Sequence, residues 1–68
     1  MEVEHGAKVI DQNGEVLGTV DHLMRNLWTG EISKFMVRRE ALDEDLFLSP
    51  DDVMEVTGST VKLKFIVD

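Results

Sequence analysis

The chain has 68 residues, 43% of them hydrophobic and 31% charged, a composition typical of a small globular domain. Fourteen acidic residues against seven basic ones give a net charge of −7, which argues against nucleic-acid binders and proteins that dock on anionic membranes. No cysteine is present, which excludes disulfides, thiol catalysis and zinc–thiolate sites. We therefore predict a single domain over residues 1–68 that neither inserts into membranes nor binds nucleic acid directly.

The size of the chain sets a second expectation. A domain this short buries only about 60% of the surface that its unfolded form exposes. Without a disulfide, its stability requires efficient closure of the core or a second subunit. Residues 1–6 are acidic and lack the basic and apolar regions of a secretion signal, so we expect a cytoplasmic protein.

Turn signals and short apolar runs predict six strands and almost no helix. The strands are expected at residues 8–10, 15–24, 31–39, 46–48, 53–57 and 60–67. Asn13-Gly14 is a strong hairpin signal, because the central residues of a type I′ turn need positive φ. Gly18 predicts a bend that changes which residues of its strand face the core. Pro50, followed by two aspartates, suits one short helical turn.

Short strands joined mostly by hairpins predict a small, six-stranded, antiparallel β-barrel. Alternation is clearest in the last strand, where Val61, Leu63 and Phe65 are expected inward and Lys62 and Lys64 outward. Closure would remove exposed sheet edges and fill the interior with side chains, leaving no drug-sized cavity. The predicted fold class is therefore all-β, with at most one short helical turn.

Glycines and apolar residues recur in a defined order along the chain. The first half contains Gly6-x-x-Val9, Gly14-x-x-Leu17-Gly18-x-Val20 and Thr29-Gly30-x-Ile32-x-x-Phe35-x-Val37. The second half contains Leu48-x-Pro50-x-x-Val53-x-x-Val56-x-Gly58-x-x-Val61-x-Leu63. This order resembles the PRC-barrel family, which is named for the cytoplasmic domain of the photosynthetic reaction-centre H subunit and includes the C-terminal domain of a ribosome maturation factor. Trp28 and the short acidic loop before Leu46 depart from the family pattern. The resemblance implies a protein-interaction or adaptor domain, in some members dimeric, with no catalytic residue to transfer.

Trp28, in the turn at residues 26–30, is the leading candidate for a contact residue. Its ring either folds back to plug one mouth of the barrel or is exposed as an anchor for a second subunit or partner. Met24 and Met36, on the flanking strands, are expected to extend such a patch, with Met36 pointing outward.

Half of the acidic residues lie in a stretch without Lys or Arg: Glu40, Asp43, Glu44, Asp45, Asp51, Asp52 and Glu55. This stretch is either a solvated surface that keeps the protein soluble or a negative patch that attracts a basic partner, with weak divalent-cation binding as a third alternative. Arg25, Lys34, Arg38 and Arg39 are expected to form cross-strand ion pairs with the acidic side, or to pair with the acidic loop of a second copy.

No metal site, cofactor or catalytic residue is predicted. His5 and His22 have no second His or Cys at ligand spacing. Asp11-x-Asn13-x-Glu15 resembles the start of an EF-hand loop, but Val16 and His22 occupy the positions of the required Gly and the bidentate Glu. Asp11 and Asn13 are therefore interpreted as turn residues. The serines have no His nearby in sequence, so we expect no enzyme.

The predicted function is a non-catalytic interaction or adaptor module of the PRC-barrel type that forms a homodimer. Its predicted contact residues are Trp28, Met24, Met36, Lys34, Arg38, Asp43, Glu44 and Asp45. The alternative is a ribosome- or RNA-processing-associated factor that binds a basic ribosomal protein through its acidic face.

Overall fold

The computed structural model describes residues 3–39 and 44–67, which form a six-stranded sheet and one 3-10 turn. The strands are β1 (Lys8–Ile10), β2 (Val16–Arg25), β3 (Ile32–Arg39), β4 (Glu44–Leu48), β5 (Val53–Thr57) and β6 (Thr60–Leu63). The 3-10 turn, Pro50–Asp52, lies between β4 and β5. The predicted all-β class and the single helical turn are confirmed. The last strand is shorter than predicted, because it ends at Leu63 rather than at residue 67.

The strands lie in the order β4-β3-β2-β1-β6-β5. Every neighbouring pair is antiparallel except β1 and β6, which run parallel with Val9 opposite Val61. The sheet is therefore mixed rather than wholly antiparallel. It is also open within the described residues, with β4 and β5 as its two edges, so the closed barrel expected from the sequence is not observed.

Two irregularities in β2 determine which of its side chains face the core. The β1–β2 register shifts next to Gly18, and the β2–β3 register shifts again at Asp21. As a result, Leu17 and Val20 are both buried although they have opposite parity. The change of parity predicted at Gly18 is confirmed, whereas the second shift was not predicted.

The hydrophobic core lies on one face of the sheet. Every strand contributes to it, as do two residues before β1; the buried apolar residues are Val3, Ala7, Val9, Leu17, Val20, Phe35, Val37, Leu48, Val53, Val61 and Leu63. Phe65 follows β6 and packs against this core while partly exposed, and its carbonyl accepts the Gln12 N–H at 3.0 Å. The predicted inward direction of the residues on β6 is therefore correct.

The β1–β2 connection is built around the Asp11 carboxylate. Its Oδ1 atom accepts the backbone N–H of Asn13 at 2.8 Å and of Glu15 at 2.9 Å. The Gly14 N–H donates to the Asp11 carbonyl at 3.0 Å, with Gly14 at φ +86°. Asp11 and Asn13 are thus turn residues, as the sequence predicted.

Candidate interaction surface

The tip of the β2–β3 hairpin, residues 26–30, projects two large apolar side chains into solvent. Leu27 is 98% exposed and Trp28 is 95% exposed. Of the two alternatives for Trp28, the structure therefore selects exposure, and the ring does not plug the sheet. Leu27 was not singled out in the sequence, because one Leu in a turn gives no signal of its own. The hairpin tip (residues 26–30) thus presents two adjacent apolar side chains to solvent.

Hydrogen bonds within the hairpin tip hold it in one conformation. Asn26 Oδ1 accepts the Trp28 N–H at 2.8 Å, and the Gly30 N–H donates to the Asn26 carbonyl at 2.8 Å. The Arg25 guanidinium donates from Nη1 to the Gly30 carbonyl at 2.9 Å. Gly30 has φ +76°, which glycine adopts without strain. An ordered tip loses less conformational entropy when it binds than a flexible loop does.

A cleft of about 420 Å³ opens beside the hairpin tip. It is lined by Val3, Arg25, Thr29, Gly30, Glu31, Ile32 and Pro50. The interior of the sheet is filled as predicted, since Phe35 and Leu63 have no exposed surface. The cleft, however, lies within the size range of small-ligand pockets, so the expectation that the fold leaves no drug-sized cavity is wrong. Segments far apart in the chain form it, so no local pattern reveals it. We call it the tip cleft.

The methionines predicted to extend the patch lie on the outer face of the sheet. Met24 is exposed and pairs across the strands with Lys34, which is also exposed. Met36 is half-buried and lies between His22 on β2 and Phe47 on β4. The outward direction predicted for Met36 is confirmed. Phe47, 60% exposed, was missed, although its position between two inward leucines indicated an outward side chain.

Arg38 belongs to a small charged cluster on the same outer face. Its Nη2 atom lies 3.3 Å from Asp21 Oδ2, and His22 Nδ1 lies 2.9 Å from the same oxygen. Desolvation by itself raises the pKa of Asp21, but the Arg38 charge and the hydrogen bond with His22 outweigh it. The pKa of Asp21 is therefore lower than its ordinary value. Arg38 is thus engaged within the chain by a cross-strand ion pair, but its partner is Asp21 of β2 rather than the acidic stretch that the sequence analysis named.

The acidic residues of β4 lie beside arginines of β3. Glu44 Oε1 is 3.3 Å from Arg39 Nη1, and exposed Asp45 stands opposite Arg38 in the strand register. Arg39 is only 8% exposed, and it points inward like the β3 core residues Phe35 and Val37. The sequence analysis grouped it with the cations of the surface and did not predict this burial. Asp43, the third acidic residue predicted at the contact surface, lies outside the described residues.

The acidic residues after β4 serve local structure in part. Asp52 Oδ2 accepts the Ser49 N–H at 3.0 Å and the Ser49 hydroxyl at 3.3 Å, which caps the 3-10 turn. Glu55 pairs with Lys62 in the β5–β6 register. Asp51 is exposed. The acidic stretch is therefore not a uniform negative surface, because several of its carboxylates lie close to donors or cations.

Within residues 3–39 and 44–67, no three His, Cys, Asp or Glu side chains are grouped closely enough to hold a metal ion. In the same part of the chain, no helix has the length and apolar character to cross a membrane.

Comparison with known proteins does not assign the chain to a family. No protein-family model matches it, and no curated protein matches it significantly. The likeness to the PRC-barrel family therefore rests on the order of its glycines and apolar residues alone.

Proposed function

We propose that this chain is a non-catalytic interaction module that forms a homodimer through the hairpin tip. One observation carries the proposal: Leu27 and Trp28 are almost completely exposed on a turn fixed by hydrogen bonds. Covering one Trp ring removes about 150–250 Å² from water, a gain of about 4–6 kcal/mol before the costs of association. Trp is also enriched among the residues that dominate binding energies.

The proposal includes a relationship to the PRC-barrel family, although the sheet of the described residues is mixed and open. Its support is the number of strands, the positive φ of the turn glycines Gly14, Gly30 and Gly58, and the inward apolar positions of the sequence pattern. A family whose members commonly serve as interaction or adaptor domains suits a chain that presents an apolar tip.

Sedimentation equilibrium over a range of concentrations up to high micromolar tests the dimer. We expect the average mass of the wild type to rise from monomer toward dimer, and Trp28→Ala to remain monomeric. Met54→Ala is the matched control, because Met54 is an exposed apolar residue on β5, away from the hairpin tip. Far-ultraviolet circular dichroism confirms that both variants fold. A monomeric wild type, or a Trp28→Ala variant that dimerises normally, contradicts the proposal.

The alternative function, binding of a basic ribosomal protein through the acidic face, has weaker support. The charge of Glu44 is offset by Arg39, and one Asp52 oxygen already accepts hydrogen bonds from Ser49, so fewer carboxylate oxygens are free to bind a partner. A gel shift with total RNA, together with a pull-down of ribosomal proteins, separates the two functions. RNA binding that falls steeply with salt, or capture of a basic ribosomal protein, favours the alternative.

A further inference from the structure

We infer that the two copies exchange tryptophans: Trp28 of each copy inserts into the tip cleft of the other, around a two-fold axis. The inference rests on the proposed homodimer and adds the site that receives the ring. The proposed function concerns the exposed tip, whereas this inference concerns the cleft next to it.

The positions of the ring and the cleft match the geometry of a two-fold interface. Thr29 and Gly30, which directly follow Trp28, line the cleft, so the protruding ring and the hollow belong to one patch. In a two-fold interface the same patch meets itself, and each contact occurs twice. A ring and a hollow on opposite sides of the molecule would instead produce an open chain of copies. This arrangement therefore closes at two subunits.

The ring does not fill the cleft of its own chain. Trp28 is 95% exposed, and the hydrogen bonds from its backbone N–H and from Gly30 to Asn26 fix the direction of the turn. The cleft is thus open to a ring from a second molecule while the hairpin keeps its conformation.

The walls of the cleft suit the chemistry of indole, a flat apolar ring with one N–H donor. Ile32 and Pro50 contribute apolar surface, whereas Val3, which also lines the cleft, is only 1% exposed. The Arg25 guanidinium is held at the cleft by its bond to the Gly30 carbonyl, and a guanidinium over an indole face is a favourable cation–π pair. Glu31 also lines the cleft, and a carboxylate there can accept the indole N–H.

The areas involved predict a weak dimer. Two rings bury about 150–250 Å² each, whereas stable specific interfaces bury about 1,200–2,000 Å² in total. The cleft, at about 420 Å³, has the volume to receive one indole ring. We therefore expect reversible self-association in the micromolar range.

Intrinsic fluorescence observes the insertion directly. Trp28 is the only tryptophan of the chain and there is no tyrosine, so the emission reports this one side chain. We expect the emission to move to shorter wavelength, and quenching by acrylamide to weaken, over the concentrations at which sedimentation detects the dimer. An emission that is already shifted in the dilute monomer shows the ring in its own cleft and overturns the inference.

A variant that blocks the cleft separates this inference from the proposed function. Glu31→Arg places a longer side chain in the wall and removes the carboxylate that would accept the indole N–H, and we expect it to weaken self-association by about tenfold or more. Glu15→Arg is the matched control, because it makes the same charge change at an exposed acid in the β1–β2 turn, outside the cleft. We expect Glu15→Arg to dimerise like the wild type.

Mixing two defective variants gives the sharpest result. Trp28→Ala keeps an open cleft but has no tryptophan, while Glu31→Arg keeps the ring but has a blocked cleft. We expect added Trp28→Ala to shift the emission of Glu31→Arg, because one ring then has one open cleft to enter. If Glu31→Arg dimerises normally and no shift occurs, the inference is wrong while a dimer that depends on Trp28 still stands. If the wild type is always monomeric, the proposed function itself is wrong.

Discussion

Asp11 uses its two carboxylate oxygens unequally. The residue is 0% exposed, and Oδ1 accepts two backbone N–H groups while Oδ2 has no hydrogen-bond partner among the described residues. One oxygen thus holds the turn between β1 and β2, and the other adds only the cost of burying a polar atom. The structure assigns this carboxylate to turn formation.

Substitutions at Asp11 distinguish the hydrogen bonds from the charge. We expect Asp11→Ala to lower the free energy of unfolding by about 1–3 kcal/mol, because the N–H groups of Asn13 and Glu15 lose their acceptor. Asp11→Asn keeps an oxygen at the position of Oδ1 and should lower it much less. Urea unfolding followed by circular dichroism measures both values. Equal losses would show that the negative charge, not the backbone hydrogen bonds, is the important feature.

Gly18 illustrates a constraint at the scale of a strand pair. A Cβ atom at this position would overlap the backbone carbonyl of Arg38 on β3, which cannot move aside without disturbing the β2–β3 ladder. We expect Gly18→Ala to lower the free energy of unfolding by about 1–3 kcal/mol, as overpacking does in well-packed proteins. Thermal unfolding followed by circular dichroism measures the loss.

The control for Gly18 is its neighbour Thr19, which is exposed and pairs with Arg38. As the next residue of the strand, Thr19 points to the other face of the sheet from Gly18. Thr19→Ala should stay within about 0.5 kcal/mol of the wild type, as surface substitutions usually do. If Gly18→Ala and Thr19→Ala had the same melting temperature, β2 and β3 could move apart at this point without a loss of stability.

The elements were more predictable than their arrangement. Turn signals and short apolar runs identify β1 and β5 with their observed bounds, because turn residues mark where a strand begins and ends. Alternation is the same in parallel and antiparallel pairs, so the parallel β1–β6 pairing has no signature in the sequence. The sequence also left open whether Trp28 is exposed, because a large apolar side chain is expected both inside a small core and at an interface. The tip cleft depends on Val3, Arg25 and Pro50, whose proximity only the fold creates.

For the molecule as a whole, the first and last strands, β1 and β6, lie side by side in the middle of the sheet. β1 is paired on both sides, by β2 and by β6, and the Lys8 N–H donates to the Ser59 carbonyl at 2.8 Å. Val3 and Ala7, before β1, complete the core. The strands with the fewest neighbours are therefore β4 and β5, which are adjacent along the chain and lie at opposite edges of the sheet.

Hydrogen exchange measured by NMR tests this open arrangement. Amides of β4 and β5 that point away from their single neighbouring strand should exchange rapidly, whereas the amides of β1 should exchange only on global unfolding. A closed barrel would protect both edge strands as strongly as β1, because each amide would then have a partner strand. The measurement uses Trp28→Ala, so that dimer formation does not protect any strand. Uniform protection of β4 and β5 would show that the two edges pair and that the sheet closes.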